Sequence, residues 1–244
     1  MRILVIIPAL NEVESITQVI GAIHGRMSSA DVLVIDDGST DDTANLARAA
    51  GAAGVSLPFN MGVGAALRTG FRYAARRGYD LVVQCDADGQ HPADRIVDLV
   101  AEVSNGADLV IGSRFAQAST GYEVERTRGL AMRIIRISLR LLTKQAFTDP
   151  TSGFRAFSAP MIRMFATTYP REFLSDTVEA LLIACYGGFD VREVPVEMRH
   201  REAGAPSHTS FRLMYQYVHL LAVIAMTASL RGRVSNRRQG ARSR

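Results

Sequence analysis

Short apolar runs alternate with helical patterns over the first half of the chain. The runs are of the kind that is buried on both faces of a parallel sheet, and they are Ile3–Ile7, Val32–Ile35, Val55–Leu57, Leu81–Cys85 and Leu109–Ile111. Between them, apolar residues recur at helical spacing over Ser15–Met27, Asp41–Ala50, Gly64–Arg77 and Ala93–Val103. This alternation predicts an α/β fold with a doubly wound, mainly parallel sheet flanked by helices.

The second half is less regular. Arg126–Leu142 mixes arginine and aliphatic residues at helical spacing, which predicts an amphipathic helix. Asp149–Arg155 predicts a turn into a short strand, and Ser175–Tyr186 predicts a further helix. Val191–Val196 is predicted as a strand, and Pro195 favours an edge position because proline cannot donate to a ladder.

Polar side chains follow the predicted strands at the point where each one ends. In sheets of this kind, ligands bind outside the carboxyl ends of the strands. Asp86 and Asp88 are two residues apart, so their carboxylates can converge on one hard cation such as Mg²⁺. Considered alone, this pair is also explained by an Asp-Gly turn at the end of the strand, without any bound cation. The stronger signal for a binding site is that several polar residues fall at strand ends that meet at one edge of the sheet. These residues are Asn11, Asp36, Asp37, Asp86 and Asp88.

Other motifs narrow the chemistry. Gly62 and Gly64 suggest a dinucleotide fingerprint, but Leu67 stands at the third glycine position, so an NAD site is rejected. The glycine turn either presents Arg68 to a ligand or serves packing. His91 could ligate a metal, but its position beside a proline favours a role in orienting the acidic loop. Ser39–Asp42 resembles a capping box at the start of the second helix. The remaining histidines lack zinc-ligand spacing, and no G-x-S-x-G elbow is present.

Composition and charge bound the class of protein. With 244 residues and 48% hydrophobic residues, the chain can bury the core of a single domain. The six arginines of Arg231–Arg244 exceed the whole net charge of +4, so the remainder is slightly acidic. No basic face with interleaved aromatics is seen, which disfavours nucleic-acid binding. Two cysteines, no disulfide framework and no cleavable leader predict a cytoplasmic protein.

The C-terminal region combines two features that suit a membrane surface. Leu213–Leu230 has no formal charge and would form a helix of about 27 Å, close to the lower limit for spanning a bilayer. An interfacial or helix-packing role is at least as plausible. The arginine-rich segment that follows suits anionic headgroups or a solvated, disordered tail. The expected organisation is a catalytic domain over 1–210, an apolar helix over 211–230 and a basic tail over 231–244.

The ordered motifs resemble those of the inverting family 2 glycosyltransferases, within them the dolichyl-phosphate mannosyltransferase and polyprenyl-phosphate glycosyltransferase branch. The resemblance spans roughly Ile3 to His208. It rests on P-A-L-N-E, D-D-G-S-T-D-D-T, N-M-G-V-G-A-A-L-R-T-G, D-A-D-G-Q-H-P, G-S-R, D-P-T-S-G-F-R-A-F and E-V-P-V-E-M-R-H-R-E-A-G-A-P-S-H. It implies a GT-A fold, a nucleotide-sugar donor and a divalent metal.

The resemblance also implies roles for individual residues. Asp86 and Asp88 would hold Mg²⁺ or Mn²⁺ on the donor diphosphate, with Gln90 as a further ligand and Ala87 between them beside the donor. Three arginines would face phosphates of the donor or acceptor: Arg114, Arg128 and Arg201. The nucleoside pocket would be lined by Pro8, Leu10, Glu12 and Asp37, with Asp36 beside it and Arg68 as a further donor-binding candidate. Leu10 and His208 depart from the family pattern, which commonly has an aromatic and a lysine there.

The expected reaction is metal-dependent transfer of a sugar, with inversion, to a polyprenyl phosphate at the inner face of the cell membrane. An anionic acceptor phosphate needs no general base. An acceptor hydroxyl would need one, and Asp149 or Glu179 are the candidates. The alternatives are a family 2 enzyme acting on a soluble or glycan hydroxyl, and a non-catalytic nucleotide-sugar-binding protein. A homo-oligomer or a membrane partner is left open.

Overall fold

The computed structural model describes residues 1–116, 126–170 and 176–198, with the backbone alone for residues 126–131. The strands are β1 (Ile3–Ala9), β2 (Asp31–Asp36), β3 (Ala53–Ser56), β4 (Leu81–Gln84), β5 (Leu109–Ser113), β6 (Arg155–Ser158) and β7 (Val191–Pro195). The helices are α1 (Ile16–Arg26), α2 (Thr43–Ala49), α3 (Val63–Arg77), α4 (Ile96–Ser104), α5 (Arg126–Thr143), α6 (Ala159–Thr168) and α7 (Asp176–Tyr186). A short 3₁₀ turn, Ala93–Arg95, precedes α4.

The strands form one sheet in the order β3-β2-β1-β4-β6-β5-β7. Every neighbouring pair is parallel except for β6, which runs antiparallel to both β4 and β5. The predicted mainly parallel sheet is therefore confirmed, and β7 lies at an edge as Pro195 indicated. The reversed strand was not predicted. Because Arg155 begins β6 opposite Gln84 at the end of β4, the loop before β6 lies at the carboxyl edge of the parallel strands.

Helices cover both faces of the sheet, because β1, β2 and β4 are apolar on both sides. On one face Val5 and Ile7 belong to a buried cluster with Ile20 of α1 and Leu99 of α4. On the other face α3 packs closely enough that a Cβ on Gly70 would lie 3.1 Å from Ile6 Cγ2. An aromatic cluster packs α3 against β6 and α6. It consists of Phe71 of α3, Phe157 of β6, Phe165 of α6 and Tyr169, which directly follows α6.

Two local expectations were wrong or incomplete. Helix α2 begins at Thr43, and the residue before it, Asp42, makes no side-chain capping bond, whereas Asp41 Oδ1 accepts the Thr43 amide at 3.0 Å. Two residues of the expected capping box also bind the loop after β1: Ser39 Oγ accepts from the Asn11 amide at 2.9 Å, and Asp41 Oδ2 accepts from the Val13 amide at 3.3 Å. Helix α6 was missed, although a proline in its first turn is a common start signal.

The chain divides into two compact units. The first contains the sheet and comprises Met1–Tyr122 and Thr148–Ala205; the second comprises Glu123–Phe147 and Pro206–Arg244. The described part of the second unit is mainly α5, which confirms the amphipathic helix predicted there. In the described ranges no helix is both long and apolar enough to cross a membrane. Leu213–Leu230, the basic tail and the boundaries proposed at 210 and 230 lie outside the described residues.

Candidate active site

The acidic pair lies at the carboxyl end of β4, beside the central strand β1. Cys85, which is buried, donates its amide to the Ile6 carbonyl at 3.1 Å and so continues the pairing with β1 to the start of the acidic motif. Ala87 is also buried, whereas the Asp86 side chain is 43% exposed and Asp88 is half-buried. The Gln90 amide donates to Asp88 Oδ1 at 3.0 Å and closes the turn. The predicted metal-binding residues are thus brought to one edge of the sheet.

The pKa of Asp86 is raised, so its ionised form is disfavoured at this turn. Although its side chain is partly open to solvent, the Asp86 carboxyl lies deep among protein atoms, and this loss of solvation is the main cause that raises its pKa. Asp88 adds like-charge repulsion, while His91 and Arg114 oppose the rise. A cation placed between the two carboxylates would relieve this repulsion.

The residues present fit a divalent cation that is shared with a ligand. In the part of the chain that the structure describes, no group of three or more His, Cys, Asp or Glu side chains could hold a metal alone. Magnesium is commonly bound by one or two carboxylates together with substrate phosphates and water. Asp86 and Asp88 supply such a pair, and a diphosphate-bearing donor would complete the coordination.

His91 contacts both the backbone and the side chain of Asp86 in the acidic turn. Its Nδ1 accepts the Asp86 amide at 2.9 Å, and its Nε2 lies 3.5 Å from Asp86 Oδ2. The ring is nearly buried and stacks on Phe154, with centroids 4.9 Å apart. The interpretation of His91 as the residue that orients this loop agrees with these contacts.

Arg114, which directly follows β5, is held by a buried carboxylate. Its Nε and Nη2 donate to the two oxygens of Asp149 at 2.6 and 2.8 Å, and Asp149 is fully buried. The Arg114 side chain remains 18% exposed, and its charge acts on Asp86. A guanidinium fixed in this way is suited to bind phosphate oxygens in a defined geometry. Asp149 has both oxygens engaged by Arg114, so it positions this cation.

The loop before β6 forms part of the same edge. A Cβ on Gly153 would lie 3.2 Å from Asp86 Oδ2 and 3.4 Å from Gln84 Nε2, so a glycine lets the loop approach the acidic turn. Arg155 is fully buried and donates to the carbonyls of Pro150, Ser152 and Thr177 at 2.7 to 2.8 Å. These bonds fix the loop that carries both Gly153 and Asp149. Sequence reasoning missed Arg155 because a buried arginine with carbonyl partners has no local pattern.

Asp37, at the end of β2, binds the glycine-rich turn that opens α3. Its two oxygens accept the amides of Met61 and Gly62, each at 2.8 Å. Burial raises the Asp37 pKa above its ordinary value, and these two bonds oppose the rise. A Cβ on Gly38 would meet the Phe59 backbone at 2.6 Å, so only glycine allows the two loops to approach so closely. The role of the N-M-G-V-G motif here is to dock against Asp37.

The remaining nucleoside-pocket candidates lie on the neighbouring ends of β1 and β2. Asp36 Oδ1 accepts the Ser39 amide at 2.9 Å. The Glu12 amide donates to Thr43 Oγ1, and Glu12 Oε2 accepts from Ser15 Oγ at 3.0 Å. Pro8 is half-buried, and Leu10 is 37% exposed. Since β2, β1 and β4 are adjacent, these residues line the same edge as the acidic turn.

Three predicted cationic residues have different outcomes. Arg68 donates through Nη2 to the Thr167 carbonyl at the end of α6, a contact that serves helix packing. Arg128 lies in the first part of α5, residues 126–131, of which the backbone alone is described, and Arg201 lies outside the described residues. The contact of Arg128 and Arg201 with a phosphate, and that of Arg68 with the donor, stay predictions.

Comparison with known proteins identifies the family. The sequence profile of "Glycosyl transferase family 2" matches residues 4–166. Polyprenol monophosphomannose synthase of Mycolicibacterium smegmatis is 32% identical over 210 residues, which cover 83% of this chain and 79% of that protein. Undecaprenyl-phosphate mannosyltransferase of Micrococcus luteus is 33% identical over 210 residues, which cover 84% of this chain and 86% of that protein. The chain belongs to glycosyltransferase family 2 and is an enzyme of that class.

Solved structures agree with this assignment. Glucosyl-3-phosphoglycerate synthase from Mycobacterium tuberculosis, crystallised with Mn²⁺, UDP and phosphoglyceric acid, superposes with a TM-score of 0.69 and 25% identity. The match covers 91% of this chain and 76% of that one. The fold is therefore of the GT-A glycosyltransferase type that the motifs implied.

Proposed function

We propose that this enzyme transfers a sugar, with inversion, from a nucleotide-sugar donor to a polyprenyl phosphate in a reaction that requires Mg²⁺ or Mn²⁺. The observation that carries the proposal is the placement of Asp86 and Asp88 at the end of β4, against the Asp149–Gly153 loop that binds Arg114 through Asp149. Carboxylates suited to a metal and a fixed arginine are the groups that a leaving nucleoside diphosphate needs. The names of the two relatives supply the acceptor class.

The donor would be held along the carboxyl edge of β2, β1 and β4. Asp86, Asp88 and Gln90 would hold the metal, which when bound stabilises the charge of the leaving diphosphate. Arg114 would bind a phosphate of the donor or the acceptor, with Asp149 fixing its guanidinium plane. The backbone of the Met61–Gly62 turn, docked on Asp37, would border the nucleoside.

The state of Asp149 favours a phosphate acceptor over a hydroxyl. A phosphate oxygen is anionic near neutral pH and attacks without a base, whereas a hydroxyl needs a base within hydrogen-bond reach. Asp149, one of the two base candidates, is fully buried and paired with Arg114. The other candidate, Glu179, is half-buried on α7.

A direct test offers matched acceptors to the purified full-length protein. Labelled UDP- and GDP-sugars are supplied with Mn²⁺ or Mg²⁺ and with either a polyprenyl phosphate or the corresponding polyprenol. We expect label in the lipid fraction with the phosphate and none with the alcohol. Equal labelling of the alcohol would contradict the phosphate-acceptor proposal.

A soluble acceptor is the second candidate, because the similar solved structure holds phosphoglyceric acid. The same assay with 3-phosphoglycerate separates the two: label that appears only in the aqueous product would favour the soluble acceptor. Donor binding without any transfer or donor hydrolysis would indicate a non-catalytic binding protein.

We further propose that the C-terminal region docks the enzyme on the cytoplasmic face of the membrane. The support is its order in the sequence, an uncharged segment Leu213–Leu230 followed by six arginines. Two weak anchors together give stable binding, and the ionic one weakens as the Debye length falls from about 10 Å at 0.1 M salt to about 3 Å at 1 M. Deleting Arg231–Arg244 should lower sedimentation with anionic vesicles and remove its salt dependence. Equal binding without the tail would refute this role.

A further inference from the structure

Glu193, on the edge strand β7, binds the loop that carries Asp149. Its Oε1 accepts the Asp149 amide at 2.9 Å, and its Oε2 accepts both the amide and the hydroxyl of Thr148 at 2.8 and 2.9 Å. The side chain is half-buried. A single carboxylate thus receives three donors from two consecutive residues, which fixes the orientation of the peptide between them.

The same loop holds Arg114 on two sides. Asp149 binds its guanidinium through both oxygens. On the other side, Thr148 Oγ1 lies 2.6 Å from Ser113 Oγ, and Ser113 Oγ accepts the amide of Phe115. Ser113 and Phe115 are the neighbours of Arg114 in the chain, so Thr148 and Asp149 together restrain both the backbone and the side chain of this arginine.

Glu193 brings a second carboxylate to the loop that already carries Asp149. Two nearby carboxylates repel each other, and each must be neutralised or hydrogen-bonded. Here the donors of Thr148 and Asp149 satisfy Glu193, and Arg114 neutralises Asp149. Glu193 has its oxygens occupied by these donors, so it acts through the loop and not on a substrate.

We propose that Glu193 is a positioning residue for Arg114. It holds the Thr148–Asp149 peptide, this peptide aims the Asp149 carboxylate, and Asp149 sets the guanidinium of Arg114 beside the acidic turn. The benefit for catalysis rests on the proposed function of Arg114, whereas the mechanical link stands on the contacts alone.

A double-mutant cycle tests the link through activity. Glu193→Ala should lower kcat about 10-fold, as loss of outer partners commonly does. In an Arg114→Ala background the same substitution should have almost no further effect, because interacting residues are non-additive. Glu193→Gln, which keeps one acceptor oxygen, should restore part of the activity. If the kcat losses of Glu193→Ala and Arg114→Ala multiply in the double variant, the two residues act independently and the proposal is overturned.

Amide hydrogen exchange tests the link without any assay of transfer. Glu193→Ala should accelerate exchange in the peptide that contains Thr148 and Asp149, while Arg192→Ala should not. Arg192 is the matched control, since it lies on the same strand and pairs with Glu102 and Asp190 at the surface. Unchanged exchange in Glu193→Ala would refute the positioning role. Accelerated exchange in a protein that transfers no sugar to any acceptor would refute the proposed function alone.

Discussion

His91 accepts the backbone amide of Asp86 through Nδ1 at 2.9 Å, so in the neutral ring the proton resides on Nε2, 3.5 Å from Asp86 Oδ2. One side chain therefore restrains the backbone of a predicted metal ligand and faces its carboxylate. Stacking on Phe154 holds the ring in place. Groups that orient a metal ligand commonly affect metal affinity although they never touch the metal.

Replacing His91 by Phe should weaken metal binding while leaving the fold intact. Phenylalanine preserves a ring that can stack on Phe154 but removes the Nδ1 acceptor. We expect the Mn²⁺ concentration for half-maximal donor binding to rise about 10-fold, measured by titrating Mn²⁺ at a fixed concentration of UDP. His24→Ala on α1 is the control. An unchanged Mn²⁺ requirement in His91→Phe would show that the bond has no influence on the metal site.

Replacing Asp88 by Asn should abolish the metal dependence of donor binding. The amide keeps the size of the side chain but removes a charge that a hard cation needs. Donor affinity with Mn²⁺ should fall by at least about 10-fold, whereas affinity in EDTA should equal that of the wild type. Asp94→Asn, in the 3₁₀ turn after the motif, is the matched control. Equal affinity of Asp88→Asn and wild type with Mn²⁺ would contradict the metal assignment.

Replacing Gln84 by Met should stabilise the protein. Gln84 is 2% exposed, and its Oε1 has no hydrogen-bond partner among the described residues. A buried unsatisfied polar atom costs about 1 to 3 kcal/mol, and methionine is of similar size. We expect the free energy of unfolding in urea to rise by about 1 kcal/mol. Gln18→Met on the exposed face of α1 should change it little, and a loss of stability in Gln84→Met would show that Oε1 is satisfied.

Asp176 should make the fold less stable as the pH rises. Burial raises its pKa to about 6 from 3.8, so the folded protein keeps the proton over a range in which the unfolded chain has lost it. Its contribution is therefore fully present below about pH 4 and is lost as the pH rises through about 6.

The matching variant is Asp176→Asn, which cannot ionise. Its stability relative to the wild type should improve by up to about 3 kcal/mol between pH 4 and pH 7 and then level off. Urea unfolding at a series of pH values measures this difference, with Asp94→Asn as an exposed control. A difference that does not change with pH would mean that Asp176 has an ordinary pKa.

Much of the site could be predicted because its signals are local in sequence. Asp86 and Asp88 follow an apolar strand, and the turn of Asp149–Arg155 leads into a short strand. The partners of these residues could not be predicted. Arg114 and Asp149 meet only because β6 inserts, reversed, between β4 and β5. Similarly, Glu193 lies on the neighbouring edge strand and contacts a loop more than forty residues earlier in the chain.

The sequence by itself determined the α/β class, the strands that end in polar residues and the family, because apolar periodicity and motif order are properties of neighbouring residues. The tertiary structure decided which carboxylates stay open to solvent and which are bound by other parts of the protein. Asp37 binds the Met61–Gly62 turn and Asp149 binds Arg114, while Asp86 stays partly open to solvent. The three carboxylates have the same chemistry, and only the partners that folding brings within hydrogen-bond distance distinguish them.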